Sequence, residues 1–111
     1  MVADDWERSP GVQRMRSVFG KTEEAQSRFL GDLALSPFDE RMKGWRRETL
    51  KRFEYYWGRA VRKGMDLSDE EIALLYVTCL AHVIQRSGVK TPSSLPLKDK
   101  KVSRLMEKDP K

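Results

Sequence analysis

Cys79 and His82 have the most reactive side chains in this sequence, and they lie three positions apart. On a helix that spacing makes the two side chains neighbours. A thiol and an imidazole so placed can form a nucleophilic pair or half of a metal site. The chain has no other cysteine or histidine, whereas a zinc site takes three or four ligands. We therefore interpret Cys79 as a small buried residue and His82 as part of a polar stripe, and we predict no catalytic residue, metal site or cofactor.

The acidic residues Asp69, Glu70 and Glu71 form a second cluster of side chains that could take part in catalysis. Acid–base catalysis needs two carboxyl groups in contrasting environments inside a pocket. These three residues instead fall in the first turn of a predicted helix, where acidic side chains stabilise the N-terminus. Helix formation therefore explains them. The sequence also contains no glycine-rich phosphate-binding loop.

Basic residues along one predicted helix are the better candidates for function. Lys43, Arg47 and Lys51 follow one another at intervals of four, so they share one outward face. The basic residues that flank them are Arg46, Arg52, Arg59, Arg62 and Lys63. Cations aligned in this way can bind successive phosphates of a nucleic acid, and Tyr55 at the edge of the apolar face can stack on an exposed base.

The same basic residues have other interpretations. They fit an acidic protein surface as well as nucleic acid, or they form an ordinary solvated helix face. In the last case Glu48 pairs with Arg52, and Glu54 lies near Lys51. No helix-turn-helix, zinc-finger or RNA-recognition signature is present, so any contact to nucleic acid is predicted to involve the backbone more than the bases.

The helix that carries these basic residues is also rich in large aromatic side chains. Such side chains usually pack in a core, and that is our first interpretation. If the fold leaves them uncovered, Trp45, Tyr55 and Trp57 are candidates for stacking or for an interface. The alternative function is therefore a protein–protein adaptor or regulator that acts as a homodimer or through an aromatic face.

Two predicted helices, at about 37–63 and 68–87, must position all of these residues. In the second helix, Ser68 and Glu71 match a capping box, and Gly88 matches a left-handed stop. The residues between them are apolar on most of the helix circumference. This pattern predicts a central, buried helix.

The helix at about 37–63 is predicted to begin at a serine cap followed by Pro37 and to stop at Gly64. Only Met65 and Asp66 separate Gly64 from Leu67, which precedes the cap of the next helix. So short a connection makes the two helices antiparallel neighbours. The sequence therefore predicts a helical hairpin at the centre of the fold.

The rest of the chain is predicted to complete an all-α bundle. Pro10 follows a serine cap at the start of a short helix that ends at Gly20, and Thr22 starts another helix. The remaining segments are a proline-containing connector at 88–97, a short C-terminal helix after it, and mobile ends at 1–8 and 109–111. The prediction is one domain over residues 1–111, a compact bundle of four to five helices.

Charge and composition bound the function. The net charge is +5, and residues 37–64 alone contribute +5 from nine basic and four acidic residues. A single cysteine permits no intrachain disulfide, and the longest apolar run is shorter than the ~20 residues that span a bilayer. We expect a cytoplasmic, non-catalytic helical subunit or accessory protein of a larger protein or ribonucleoprotein assembly. Its expected partner is nucleic-acid backbone or an acidic protein surface, with no membrane contact.

Overall fold

A computed structural model describes residues 8–36, 38–90 and 100–106 of the chain. Within them lie the helices α1 (Pro10–Ser17), α2 (Phe19–Asp32), α3 (Met42–Arg62), α4 (Asp69–Arg86) and α5 (Lys100–Met106). The all-α prediction is confirmed, and α5 is the predicted short C-terminal helix. The predictions for 1–7, 91–97 and 109–111 concern residues outside the described part of the chain.

Helix α4 forms the centre of the bundle. It packs against each of the other four helices described above, and residues on most of its circumference are buried. Its fully enclosed side chains include Ile72, Leu75, Leu80 and Ile84. Because almost every side of α4 is covered by another helix, a continuous run of apolar residues is stable there. The prediction of a central helix is thus confirmed.

The two ends of α4 are fixed by the local interactions that the sequence predicts. The backbone N–H of Glu71 donates to Ser68 Oγ at 3.2 Å, and the backbone N–H of Ser68 donates to Glu71 Oε1 at 2.8 Å. At the other end Gly88 has a φ of +96°, and the N–H of Val89 donates to the carbonyl of Ile84. These bonds satisfy backbone groups that a helix end would otherwise leave unpaired.

Helices α3 and α4 form the predicted antiparallel hairpin. Gly64 adopts a φ of +69° at the end of α3, as a left-handed stop requires. The indole N–H of Trp45, near the start of α3, donates to Ser87 Oγ just after α4, at 2.9 Å. The beginning of α3 therefore lies against the end of α4.

The predicted start of α3 near Pro37 is wrong by about one helical turn. Residues 38–41 form a turn, and α3 begins at Met42. Asp39, predicted to open the helix, instead accepts from the backbone N–H and the guanidinium of Arg41 at 2.9 Å. These hydrogen bonds lower the pKa of the Asp39 carboxyl to about 2. A local turn thus competes successfully with the cap signal in the sequence.

The break between the first two helices also differs from the prediction. The chain leaves the helical conformation at Val18, whereas Gly20 lies inside α2. Val18 is buried with Met15 in the core, so packing of this corner fixes where the chain turns. The predicted stop at Gly20 and start at Thr22 are therefore wrong, because tertiary burial outweighs the glycine signal.

Ala34 is a strained residue at the end of α2, and we expect its replacement by glycine to stabilise the fold. Its φ is +57°, and the next N–H, of Leu35, closes back on the carbonyl of Leu30 at 2.8 Å. A left-handed conformation costs a residue with a Cβ roughly 1–2 kcal/mol. Replacement by glycine removes this strain, but part of the resulting stabilisation is offset by the greater conformational entropy of glycine in the unfolded chain. Ala34→Gly should raise the free energy of unfolding by about 1 kcal/mol in urea titrations.

The reverse substitution provides the control for this prediction. Gly88 occupies the corresponding position after α4, and apart from its two chain neighbours no described residue has an atom within 4 Å of where its Cβ would be. Gly88→Ala adds strain without a clash, so it should lower the free energy of unfolding by about 1 kcal/mol. Equal stability of Ala34→Gly and the parent chain would contradict the argument.

Candidate nucleic-acid interface

The outward side of α3 carries four cationic side chains and one tyrosine, which together we call the basic face. Its members are Lys43, Arg47, Lys51, Tyr55 and Arg62, and all are exposed. The 3.6-residue repeat of the helix places these positions along one side, over a length of about 28 Å. Tyr55 exposes 57% of its surface between the cations, so its ring is open to stacking. Glu48 lies beside them as an exposed acid.

The two contacts predicted within α3, Glu48 with Arg52 and Glu54 with Lys51, are not formed as ion pairs in the described residues. Glu54, expected near Lys51, instead accepts from Ser9 Oγ at 2.6 Å. Glu48 makes no ion pair with Arg52. Lys43, Lys51 and Arg62 have no acidic partner among residues 8–36, 38–90 and 100–106. Their charge is therefore available to a partner outside this part of the chain.

Two of the predicted binding residues lie in the interior instead. Arg59 exposes only 7% of its surface, because it lies eight residues after Lys51 and hence about 80° around the helix axis. Trp45 exposes 6%, with the Arg41 guanidinium 4.8 Å above its ring. Burial leaves little of Arg59 or Trp45 at the surface, so neither belongs to the basic face. A core position for Trp45 matches the first interpretation of the aromatic residues, and a contact role for either residue stays a prediction.

The other predicted residues border the basic face. Lys63 is exposed at the end of α3, and Arg46 and Arg52 are half-buried on its two flanks. Trp57 is also half-buried, because α1 crosses α3 closely there: a Cβ on Gly11 would lie 3.2 Å from Cε3 of Trp57. Of the predicted aromatic contacts, only Tyr55 therefore presents an open ring.

Cys79 has the environment of an inert thiol. It is fully buried in α4, and burial raises the pKa of its thiol to about 12. A nucleophile or metal ligand needs the thiolate, which is scarce at neutral pH for such a group. His82 is half-buried; burial, and then the charge of Arg52, lowers the pKa of its imidazole. No group of three or more His, Cys, Asp or Glu within the described residues is arranged to hold a metal ion.

The acidic residues at the start of α4 form ion pairs with residues of other helices. Asp69 accepts from Arg14 of α1 at 2.8 Å, and Glu70 accepts from Lys21 of α2 at 2.6 Å. Glu71 completes the capping box and lies 3.4 Å from Lys101 of α5. Each of these carboxylates thus has a structural partner, in agreement with the interpretation of the cluster as a helix start.

A cleft of about 390 Å³, which was not predicted from the sequence, lies between α1, α2, α3 and α4. Its apolar walls include Phe19, Leu50 and Tyr76, while Gln26, Glu23 and Arg46 add polar groups. The signal that was missed is the pair Thr22 and Gln26, four residues apart on the buried side of α2. Polar residues on a buried helix face are rare, and where they occur they often indicate a hydrogen-bonding or binding role.

Comparison with known protein families, with curated proteins and with solved structures found no match to this chain. None of the helices in the described ranges has the length and hydropathy needed to cross a membrane.

Proposed function

We propose that this protein is a non-catalytic helical accessory protein that binds nucleic-acid backbone through the basic face of α3. The observation that carries the proposal is the exposure of Lys43, Lys51 and Arg62 on one side of a helix without acidic partners among the described residues. Exposed cations that form no ion pair gain most from an external polyanion.

The geometry favours contacts to phosphates over contacts to base edges. Long, separate Lys and Arg side chains on an exposed helix reach phosphate oxygens without a fixed register. Tyr55 offers a ring on which an unpaired base can stack, whatever its identity. A single strand supplies both phosphates and unpaired bases, so single-stranded RNA or DNA is the partner that fits this face best.

Salt dependence is the experiment that tests the proposal. The four cations Lys43, Arg47, Lys51 and Arg62 replace counterions when they bind phosphates of a single strand. The plot of log K against log salt concentration should therefore have a slope of about −3, because each contact contributes about −0.7. Fluorescence anisotropy with a labelled single strand should show binding that weakens about 50-fold between 50 and 200 mM salt. No binding at 50 mM salt would overturn the proposal.

A protein–protein adaptor is the second candidate, and Phe38 is the observation that favours it. This side chain exposes 92% of its surface in the turn before α3. An exposed phenylalanine can anchor a protein interface. Phe38 would be buried in the interface of a homodimer, or in the interface with a partner whose acidic surface also covers the basic face. Sedimentation velocity distinguishes this candidate, because a homodimer that depends on Phe38 should dissociate in Phe38→Ser.

A further inference from the structure

The cleft beside α3 contains two buried polar side chains whose hydrogen-bonding capacity is not fully used by the described residues. Tyr76 exposes 4% of its surface, and its hydroxyl makes no hydrogen bond with any residue that the structure describes. Gln26 exposes 2%; its Nε2 lies 3.5 Å from Glu23 Oε1, and its own oxygen accepts no bond from a described residue. Buried polar groups are rarely left without a partner. The Tyr76 hydroxyl and the Gln26 side-chain oxygen, both in one cleft, therefore indicate a ligand with a polar edge.

The walls of the cleft suit a flat ring. Phe19 lies at the opening and exposes 55% of its surface, so its ring is accessible from the solvent side. Met15 and Leu50 supply apolar surface further in. Aromatic side chains at such sites bind planar heterocycles by stacking. The ligand therefore combines a flat body with hydrogen-bonding groups at its edge.

The cleft and the basic face share one helix. Leu50 lines the cleft, and its sequence neighbour Lys51 lies on the basic face. Arg46, which also lines the cleft, precedes Arg47 of the basic face in the same way. A strand whose phosphates follow the basic face therefore passes the rim of the cleft.

We propose that this cleft takes up one unpaired base of the strand that the basic face binds, so this inference rests on the proposed function. The base stacks on Phe19, and its edge makes hydrogen bonds with Tyr76 Oη and the Gln26 amide. Burial raises the pKa of the Tyr76 phenol to about 12, so the hydroxyl stays protonated and remains able to donate. The carboxylate of Glu23 also lines the cleft and accepts from an exocyclic amino group. Cytosine and adenine carry such a group, whereas thymine and uracil do not.

The test compares labelled strands of equal length and charge by fluorescence anisotropy at one low salt concentration. The strands are oligo-dC, oligo-dT and an abasic deoxyribose phosphate chain. We expect oligo-dC to bind at least tenfold more tightly than the abasic chain, because bases can stack on both Phe19 and Tyr55 and each stacked base contributes about 1–3 kcal/mol. Oligo-dT should lie between them. Equal affinity of oligo-dC and oligo-dT would overturn the base site while leaving backbone binding intact, because stacking on Tyr55 does not distinguish these bases. Absence of binding by every strand would remove both proposals.

Three variants locate the base. Tyr76→Phe removes a hydrogen bond to the edge of the base, so it should weaken binding of both oligo-dC and oligo-dT and leave binding of the abasic chain unchanged. Its melting temperature should not fall, because it removes a buried hydroxyl without a described partner. Phe19→Ala should weaken oligo-dC and oligo-dT alike. Tyr55→Ala is the matched control on the basic face: it loses stacking there but should keep the dC preference. Loss of that preference in Tyr55→Ala, or unchanged affinity of Tyr76→Phe for oligo-dC, would place the base elsewhere and contradict the proposal.

Discussion

Replacement of Lys43, Arg47 and Lys51 together by glutamate should abolish nucleic-acid binding while leaving the fold intact. Each phosphate contact to a single strand raises log K by about 0.7 when the salt concentration falls tenfold, from 1 M to 0.1 M. Loss of one contact therefore removes about 0.7 log units of affinity at 0.1 M salt. Three contacts therefore account for at least a 100-fold loss, and repulsion by the new carboxylates adds to it. All three side chains are exposed, so substitution removes no core packing. Fluorescence anisotropy measures the affinity, and circular dichroism checks the helix content.

The control for this variant must change the net charge equally at another surface. Arg28, Lys90 and Lys100 are exposed and lie outside α3. Reversal of three cations changes the charge by six in either variant, from +5 to −1. If binding depends on the basic face, the control should lose far less affinity than the α3 variant. Equal losses would mean that only net charge matters, and an unchanged affinity of the α3 variant would mean that α3 is not the interface.

The features that could be predicted from the sequence are those fixed by residues close together in the chain. The reciprocal bonds of Ser68 and Glu71 join residues three apart, and the left-handed turns at Gly64 and Gly88 need only one residue type in one place. Such interactions are the same wherever the helix lies. The hairpin followed from them because the connection between the helices is short.

The errors in prediction arose where a second interaction competed for the same residues. Asp39 can open a helix or accept from Arg41, and the turn that it forms with Arg41 delays α3. Val18 is buried by other helices, so its position, and not that of Gly20, decides where the chain turns. Ordinary helical periodicity put Arg59 beside the basic face, but neighbouring helices cover that flank. The positions of Val18 and Arg59 depend on contacts between helices that the local sequence does not specify. For Asp39 the local sequence offers two competing interactions and does not determine which one forms.

The cleft illustrates this limit for a binding site. Its lining comes from four helices, and its polar groups on α3 and α4, Arg46 and Tyr76, are far in the sequence from each other and from those on α1 and α2. Gln26 and Tyr76 belong to different helices 50 residues apart, so only the relative placement of α2 and α4 brings them to one cavity. A sequence pattern can indicate that Gln26 faces the interior, but it cannot supply its neighbour.

Phe53→Ala should be the most destabilising single substitution considered for this protein. Phe53 has no exposed surface, and its ring lies 6.4 Å from that of Tyr76 between α3 and α4. Truncation of a buried phenylalanine to alanine typically costs 3–5 kcal/mol, the sum of lost burial and a residual cavity. That is a large part of the ~5–15 kcal/mol that stabilises an ordinary domain. The melting temperature should fall by about 12–20 °C in thermal unfolding followed by circular dichroism.

The same substitution at Phe38 is the control, because that ring is 92% exposed, and it should change the free energy of unfolding by less than about 0.5 kcal/mol. Phe53 also separates folding from binding. It lies on the inner side of α3, two residues after Lys51 and hence about 160° around the helix axis from it. Below its melting temperature, Phe53→Ala should therefore bind a single strand with the affinity of the parent chain. Weaker binding by the fully folded variant would show that the basic face depends on the packing of the core beneath it.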